Sequence, residues 1–172
     1  MPTPLFQFTQ VTKLIAETFG DPGMRTFRIN VDSASSTAKI WVEKEQLSEL
    51  CSTMNQLFHE ATNIEYLNTS PLQNIEAPPL SNIEFKPDKI ALGYDKHTSM
   101  FIIDAYSPQE DFDNPTLRIW VEANKVETFC KEGLLIVSSG RLICELCKKP
   151  KEPNGHHCDL SNGHSKSVED LI

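Results

Sequence analysis

A chain of 172 residues, 39% apolar and 23% charged, has the length for one domain with a small appendage and can bury a real core. Its formal charge of -8, with no basic cluster beyond Lys148, Lys149 and Lys151, argues against an unassisted grip on a nucleic-acid backbone. The longest apolar run, residues 134–137, is far short of a membrane span, and the N-terminal residues lack the pattern of a signal peptide. Five cysteines, three of them within residues 144–158, do not resemble a secreted disulfide framework, so a reducing cytoplasm is the expected compartment.

Residues 13–19 open as a short strand, and Gly20-Asp21-Pro22-Gly23 is a turn signal. Residues 26–32 alternate apolar and polar side chains with period two, the mark of a half-buried strand. Residues 33–37 are small and polar and read as a hairpin loop; residues 38–43 then alternate again. From Glu45 the period lengthens. Leu47, Leu50, Cys51, Met54, Leu57 and Phe58 recur at spacings of three and four, on one face of a helix. Residues 61–87 follow as a long, proline-bearing connection without periodicity, which needs the rest of the protein to order it.

The same succession then recurs. Residues 89–93 open a second unit, residues 99–107 match residues 25–33, and Ile119-Trp120-Val121-Glu122 repeats Ile40-Trp41-Val42-Glu43. Val126, Phe129 and Cys130 align with Leu47, Leu50 and Cys51, and six of the fifteen residues from 37 to 51 are identical to their partners. Asn124 is the expected helix N-cap and Ser138-Ser139-Gly140 the expected helix end. The expected fold is α+β: a duplicated β-β-β-α unit, with antiparallel hairpins and a helix packed on each. The first repeat covers about residues 13–60, the connection 61–87 and the second repeat about 88–140. A pseudo-twofold axis would join them as one long sheet or as a partly closed barrel.

In phase, Phe27, Ile29, Val31, Ala38, Ile40 and Val42 form the core face of the first unit. The opposite face carries Arg28, Lys39, Trp41 and Glu43 in one copy and Asp104, Arg118, Trp120 and Glu122 in the other. Indoles packing on the other unit, with charges paired across strands, explain this pattern without any function. A polar groove with aromatic anchors, for a ligand or a protein partner, is the functional alternative. Cys51 and Cys130 fall on the helix core faces and read as inert.

The appendage spans residues 141–164, ahead of a flexible terminus at 165–172. Cys144 and Cys147 form a Cys-x2-Cys turn whose thiolates can converge on one ion; His156 and Cys158 alternate, so that both point one way on an extended segment. Three thiolates and one imidazole make a closed tetrahedral site for structural Zn2+, with His157 and His164 as other choices for the fourth ligand.

The segments Gly20-Asp-Pro-Gly-Met-Arg-Thr-Phe and Ala91-Leu-Gly-Tyr-Asp, with Cys144, Cys147, Pro150, Gly155, His156, Cys158, Asn162 and Gly163, give a resemblance. The chain resembles an uncharacterised bacterial family, of actinobacterial and Chloroflexi type, whose tail reads Cys-Pro-x-Cys-Gly-x-Pro and then Gly-His-x-Cys-Pro-Arg-x-Asn-Gly. Glu145, Lys148 and Asp159-Leu160 depart from that tail, so no contact made by its arginine carries over. The resemblance implies zinc binding and no assigned activity; members often lie beside a histidine-phosphatase-like and a lipid-kinase-like protein, implying a phosphate-related pathway. No phosphate loop, nucleophile elbow or His-Glu-x-x-His appears, which favours a non-enzymatic adaptor with a protein partner over an enzyme using the Trp face. Nucleic-acid binding through the tail ranks last, no membrane contact is expected, and the oligomeric state stays open.

Overall fold

Period-two alternation builds most of the molecule. The computed structural model describes residues 2–21, 24–34, 36–62, 81–108, 113–139, 144–147, 158 and 160. In chain order come β1 (Phe6–Phe8), β2 (Val11–Phe19), β3 (Thr26–Ser33), β4 (Ser36–Val42) and α1 (Lys44–Thr62). Then follow β5 (Asn82–Phe85), β6 (Lys89–Asp95), β7 (Met100–Tyr106), β8 (Leu117–Val121) and α2 (Ala123–Ser138). The class is α+β, with two four-stranded sheets in the orders β2-β3-β4-β5 and β1-β8-β7-β6.

The two sheets share a register. Phe27, Ile29 and Val31 of β3 lie opposite Val42, Ile40 and Ala38 of β4. Phe101, Ile103 and Ala105 of β7 lie opposite Val121, Ile119 and Leu117 of β8. Each third strand also takes a parallel neighbour: Ile83, Glu84 and Phe85 beside Ala38, Lys39 and Ile40, and Phe6, Gln7 and Phe8 beside Leu117, Arg118 and Ile119. These neighbours are exchanged. β1 precedes the first unit in the chain but completes the second sheet, whereas β5 precedes the second unit and completes the first.

The inner faces of both sheets and of both helices meet in one core, in which Phe8, Ile29, Ile40, Leu47, Ile103, Ile119 and Phe129 are all at most 1% exposed. Burying such side chains is worth roughly 1.5–3 kcal/mol each. α1 and α2 pack on each other, and each also crosses over: α1 lies on β3 and β6, α2 on β7 and β2. Cys51 and Cys130 meet at that helix pair. Gly133 is their clearance, because a Cβ there would fall 2.5 Å from the Cys51 sulfur.

Several expectations change. The described strands form two sheets rather than one long sheet, and each helix packs on strands of both sheets. Strand β5 occupies residues assigned to the connection. The first hairpin is tighter than expected, since β3 runs to Ser33 and β4 starts at Ser36, with Ala34 at φ 50 turning the chain. Glu43 and Glu122 do not stay on the sheet face, because the strands end one residue earlier and both become helix N-terminal residues. Gln46 accepts a hydrogen bond from the Glu43 N–H at 2.9 Å, half of a capping box. Glu122, not Asn124, is the N-cap of α2. At its other end Ser139 is the C-cap as expected, and the Arg25 guanidinium donates to the Ser139 carbonyl oxygen, a cation placed where the helix dipole is negative.

Candidate metal centre and the two outer faces

Cys144 begins a turn that carries Cys147 back towards it, and Cys158 arrives from later in the chain. The three sulfurs lie within 4.8 Å of one another, and those of Cys144 and Cys158 are 3.7 Å apart. Sulfurs at ~2.3 Å from a shared tetrahedral zinc would stand ~3.8 Å apart, whereas a disulfide needs ~2.05 Å. The Cys144–Cys158 spacing is thus too long for a disulfide and suits two sulfurs that share a metal ion. The backbone N–H of Cys147, and more weakly that of Leu146, donates to the Cys144 sulfur and brings its pKa down to about 6. Such a thiol is a ready thiolate ligand at neutral pH. Cys144 and Cys158 are buried and Cys147 is half-buried. Donor type, convergence and polarised sulfur all fit a thiophilic metal ion; His156, His157 and His164 lie outside the described residues.

The other two thiols do different work. Cys51 and Cys130 are at most 2% exposed, and the Cys51 thiol donates to the Cys130 sulfur. That bond, helped by burial, drives the Cys51 pKa far above the ordinary thiol range, and the same bond lowers that of Cys130. They are core residues, as the helical spacing indicates.

On the outer face of the first sheet the Arg28 guanidinium sits 4.7 Å from the Phe19 ring centre and 5.1 Å from that of Trp41. Glu17 accepts from it at 2.7 Å. The Trp41 indole N–H donates to Glu84 at 2.8 Å. Trp41 and Arg28 are half-buried, and Phe19 is 42% exposed.

The outer face of the second sheet is closed off. Ile102, Asp104, Tyr106, Arg118 and Trp120 are each at most 9% exposed. Arg118 donates to both Asp104 oxygens, at 2.7 and 2.6 Å, a two-bond fork that raises the guanidinium pKa against the cost of its burial. Burial, then the Asp104 charge, pushes the Tyr106 pKa up. The buried Trp120 indole N–H has no acceptor among the described residues.

Of the residues expected to share a Trp face, Asp104, Arg118 and Trp120 line one sheet and Trp41 the other. Glu43 pairs with Lys86 and Glu122 with Lys125 at 2.6 Å, both in solvent. The residues that sequence reasoning missed are Phe19, Glu17 and Glu84. The first two belong to the expected first strand, where cross-strand pairing with residues 26 to 28 would have placed them.

A family model matches residues 6–158, from the first residue of β1 to the third sulfur. The chain belongs to the DUF3090 family. That family is described as proteins of unknown function. No curated protein and no solved structure matches the chain. No helix among the described residues is long and apolar enough to cross a membrane.

Proposed function

We propose that this DUF3090 chain is a non-enzymatic, cytoplasmic binding module whose tail is stapled by zinc and whose first sheet presents a docking face to a protein partner. The observation that carries the docking reading is the Phe19–Arg28–Trp41 stack, an aromatic and guanidinium platform left part-exposed while Glu17 neutralises its charge. Tryptophan and arginine are the side chains that dominate binding hot spots. A photo-crosslinking residue at Lys39, on this face, is expected to give a discrete adduct in cells, and one at Glu127 on the exposed side of α2 is not. Identical adducts from both positions, or none from Lys39, would remove the reading. A phosphate-related pathway rests only on the family resemblance.

The metal in this reading is structural zinc, held by Cys144, Cys147 and Cys158 with a histidine as fourth ligand. His156 is the histidine of this reading, with His157 and His164 as the other choices. Metal analysis is expected to find about one zinc per chain. Cys147→Ser is expected to lose it while residues 13–139 stay folded.

We also read the two sheets as an internal duplication. Supporting this, Phe6-Gln7-Phe8 stands to Leu117-Arg118-Ile119 as Ile83-Glu84-Phe85 stands to Ala38-Lys39-Ile40, a correspondence independent of the repeated Trp word.

A second reading, a small-ligand or enzymatic site on the second sheet, is favoured by the buried Trp120 N–H, which has no acceptor among the described residues, on the same face as the Asp104–Arg118 pair. Trp41→Phe leaves Trp120 as the sole indole, and a shift of its emission on adding a small polar metabolite extract would favour this site over the platform.

A further inference from the structure

We propose that the Cys144, Cys147 and Cys158 cluster is a peroxide-released metal clasp in which Cys147 is the sulfur that meets the oxidant. The inference rests on the metal reading above and adds a regulation to it. Exposure is uneven across the three ligands. Cys144 and Cys158 are 5% and 7% exposed, but Cys147 is only half-buried, and its neighbour Leu146 is 60% exposed. Elsewhere the thiols of Cys51 and Cys130 are sealed in the core at 0% and 2%. A small oxidant in solvent therefore meets Cys147 first.

Two further thiols stand within 4.8 Å of it, so an oxidised Cys147 has resolving partners already in place. The sulfurs of the cluster need only close from within 4.8 Å to ~2.05 Å, less than a residue's length of movement. The chemistry balances with hydrogen peroxide as the oxidant. The Cys147 thiolate attacks one peroxide oxygen; the S–O bond forms, the O–O bond breaks, and hydroxide leaves a sulfenic acid. The Cys144 or Cys158 thiolate then attacks that sulfur; the S–S bond forms, the S–O bond breaks, and a second hydroxide leaves. Two electrons pass from the two sulfurs to the peroxide. Either disulfide removes two ligands at once, and a thiolate site cannot hold its ion on what is left.

The experiment uses the full-length zinc-loaded protein, hydrogen peroxide and a chromogenic zinc indicator. Wild type is expected to lose its zinc together with two thiols, to carry a disulfide mapped to Cys147, and to regain the metal after reduction. Cys147→His keeps a ligand and removes the entry sulfur, and it is expected to retain zinc at the same peroxide dose. Equal release from both proteins, or release only after Cys51 and Cys130 are also oxidised, overturns the proposal. Should Cys147→His take up no zinc, a sulfenic-acid-trapping dione on wild type decides: a label first on Cys147 sustains it, and one first on Cys144 or Cys158 overturns it. A wild-type protein that binds no zinc at the outset fails the metal reading itself, before any peroxide is added.

Discussion

The outer faces of the two sheets are built on one backbone register and come to opposite ends. On the first, Lys39, Trp41 and Glu84 lie beside Arg28 and Asn30, and Arg28 meets Glu17 while the Trp41 indole meets Glu84, at a surface that water still reaches. On the second, the same positions hold Arg118, Trp120 and Gln7 beside Ile102 and Asp104, and all of them but the half-buried Gln7 are buried. Register sets which side chains are neighbours. What lies over them sets what the neighbourhood is worth: an ion pair in water contributes about 0–1 kcal/mol, whereas removing one partner of a buried pair costs about 3–5 kcal/mol.

That contrast can be broken by substitution. Asp104→Ala takes the carboxylate fork away from the buried Arg118 guanidinium and is expected to cost about 3–5 kcal/mol by urea unfolding; a loss near that of the half-buried Arg28–Glu17 pair would mean that water reaches both faces alike. Next in size is a change that touches neither face. Gly133→Ala brings a Cβ against the Cys51 sulfur and is expected to cost about 1–3 kcal/mol despite the better helix propensity of alanine. Most of that loss should return in the double variant with Cys51→Ala. Glu17→Gln, on the open face, is expected to cost at most about 1 kcal/mol and to lose even that at high salt.

Two smaller effects sharpen the comparison. The raised Tyr106 pKa means that the unfolded chain ionises this phenol first. Its contribution is therefore whole below the ordinary tyrosine pKa of about 10 and is lost as pH rises above it. Tyr106→Phe should flatten the alkaline fall in stability. Acrylamide should quench Trp41 in the Trp120→Phe protein and leave Trp120 nearly untouched in the Trp41→Phe protein; equal quenching would erase the difference between the faces.

Where the sequence was legible, a period carried the information. The strands around Phe27 and Ile40 and the helix face of Leu47, Leu50 and Cys51 are long enough to display one. β1 and β5 are three and four residues long, and each pairs in parallel with a strand far from it in the chain, so neither leaves an alternation or a nearby turn to read. The displacement of Glu43 and Glu122 has a similar cause: alternation predicts the next residue's side only while the strand lasts, and a helix begins there instead. The sulfur cluster was plain because short Cys spacings constrain geometry directly. The different fates of Trp41 and Trp120 were not, since the two lie in the same four-residue word and differ only in what comes to rest over them.

The exchange of β1 and β5 has a consequence during synthesis. The strand Phe6–Phe8 leaves the ribosome early, yet the strand it pairs with among the described residues, Leu117–Val121, is made more than a hundred residues later. At about 5–20 residues per second the wait is on the order of ten seconds. For that interval two phenylalanines destined for the core have no sheet to join, and the first half of the chain cannot close its own sheet until β5 appears. The first sheet, within residues 11–85, can thus close while the second half is still being made, whereas the second sheet is finished only when β8 gathers in β1.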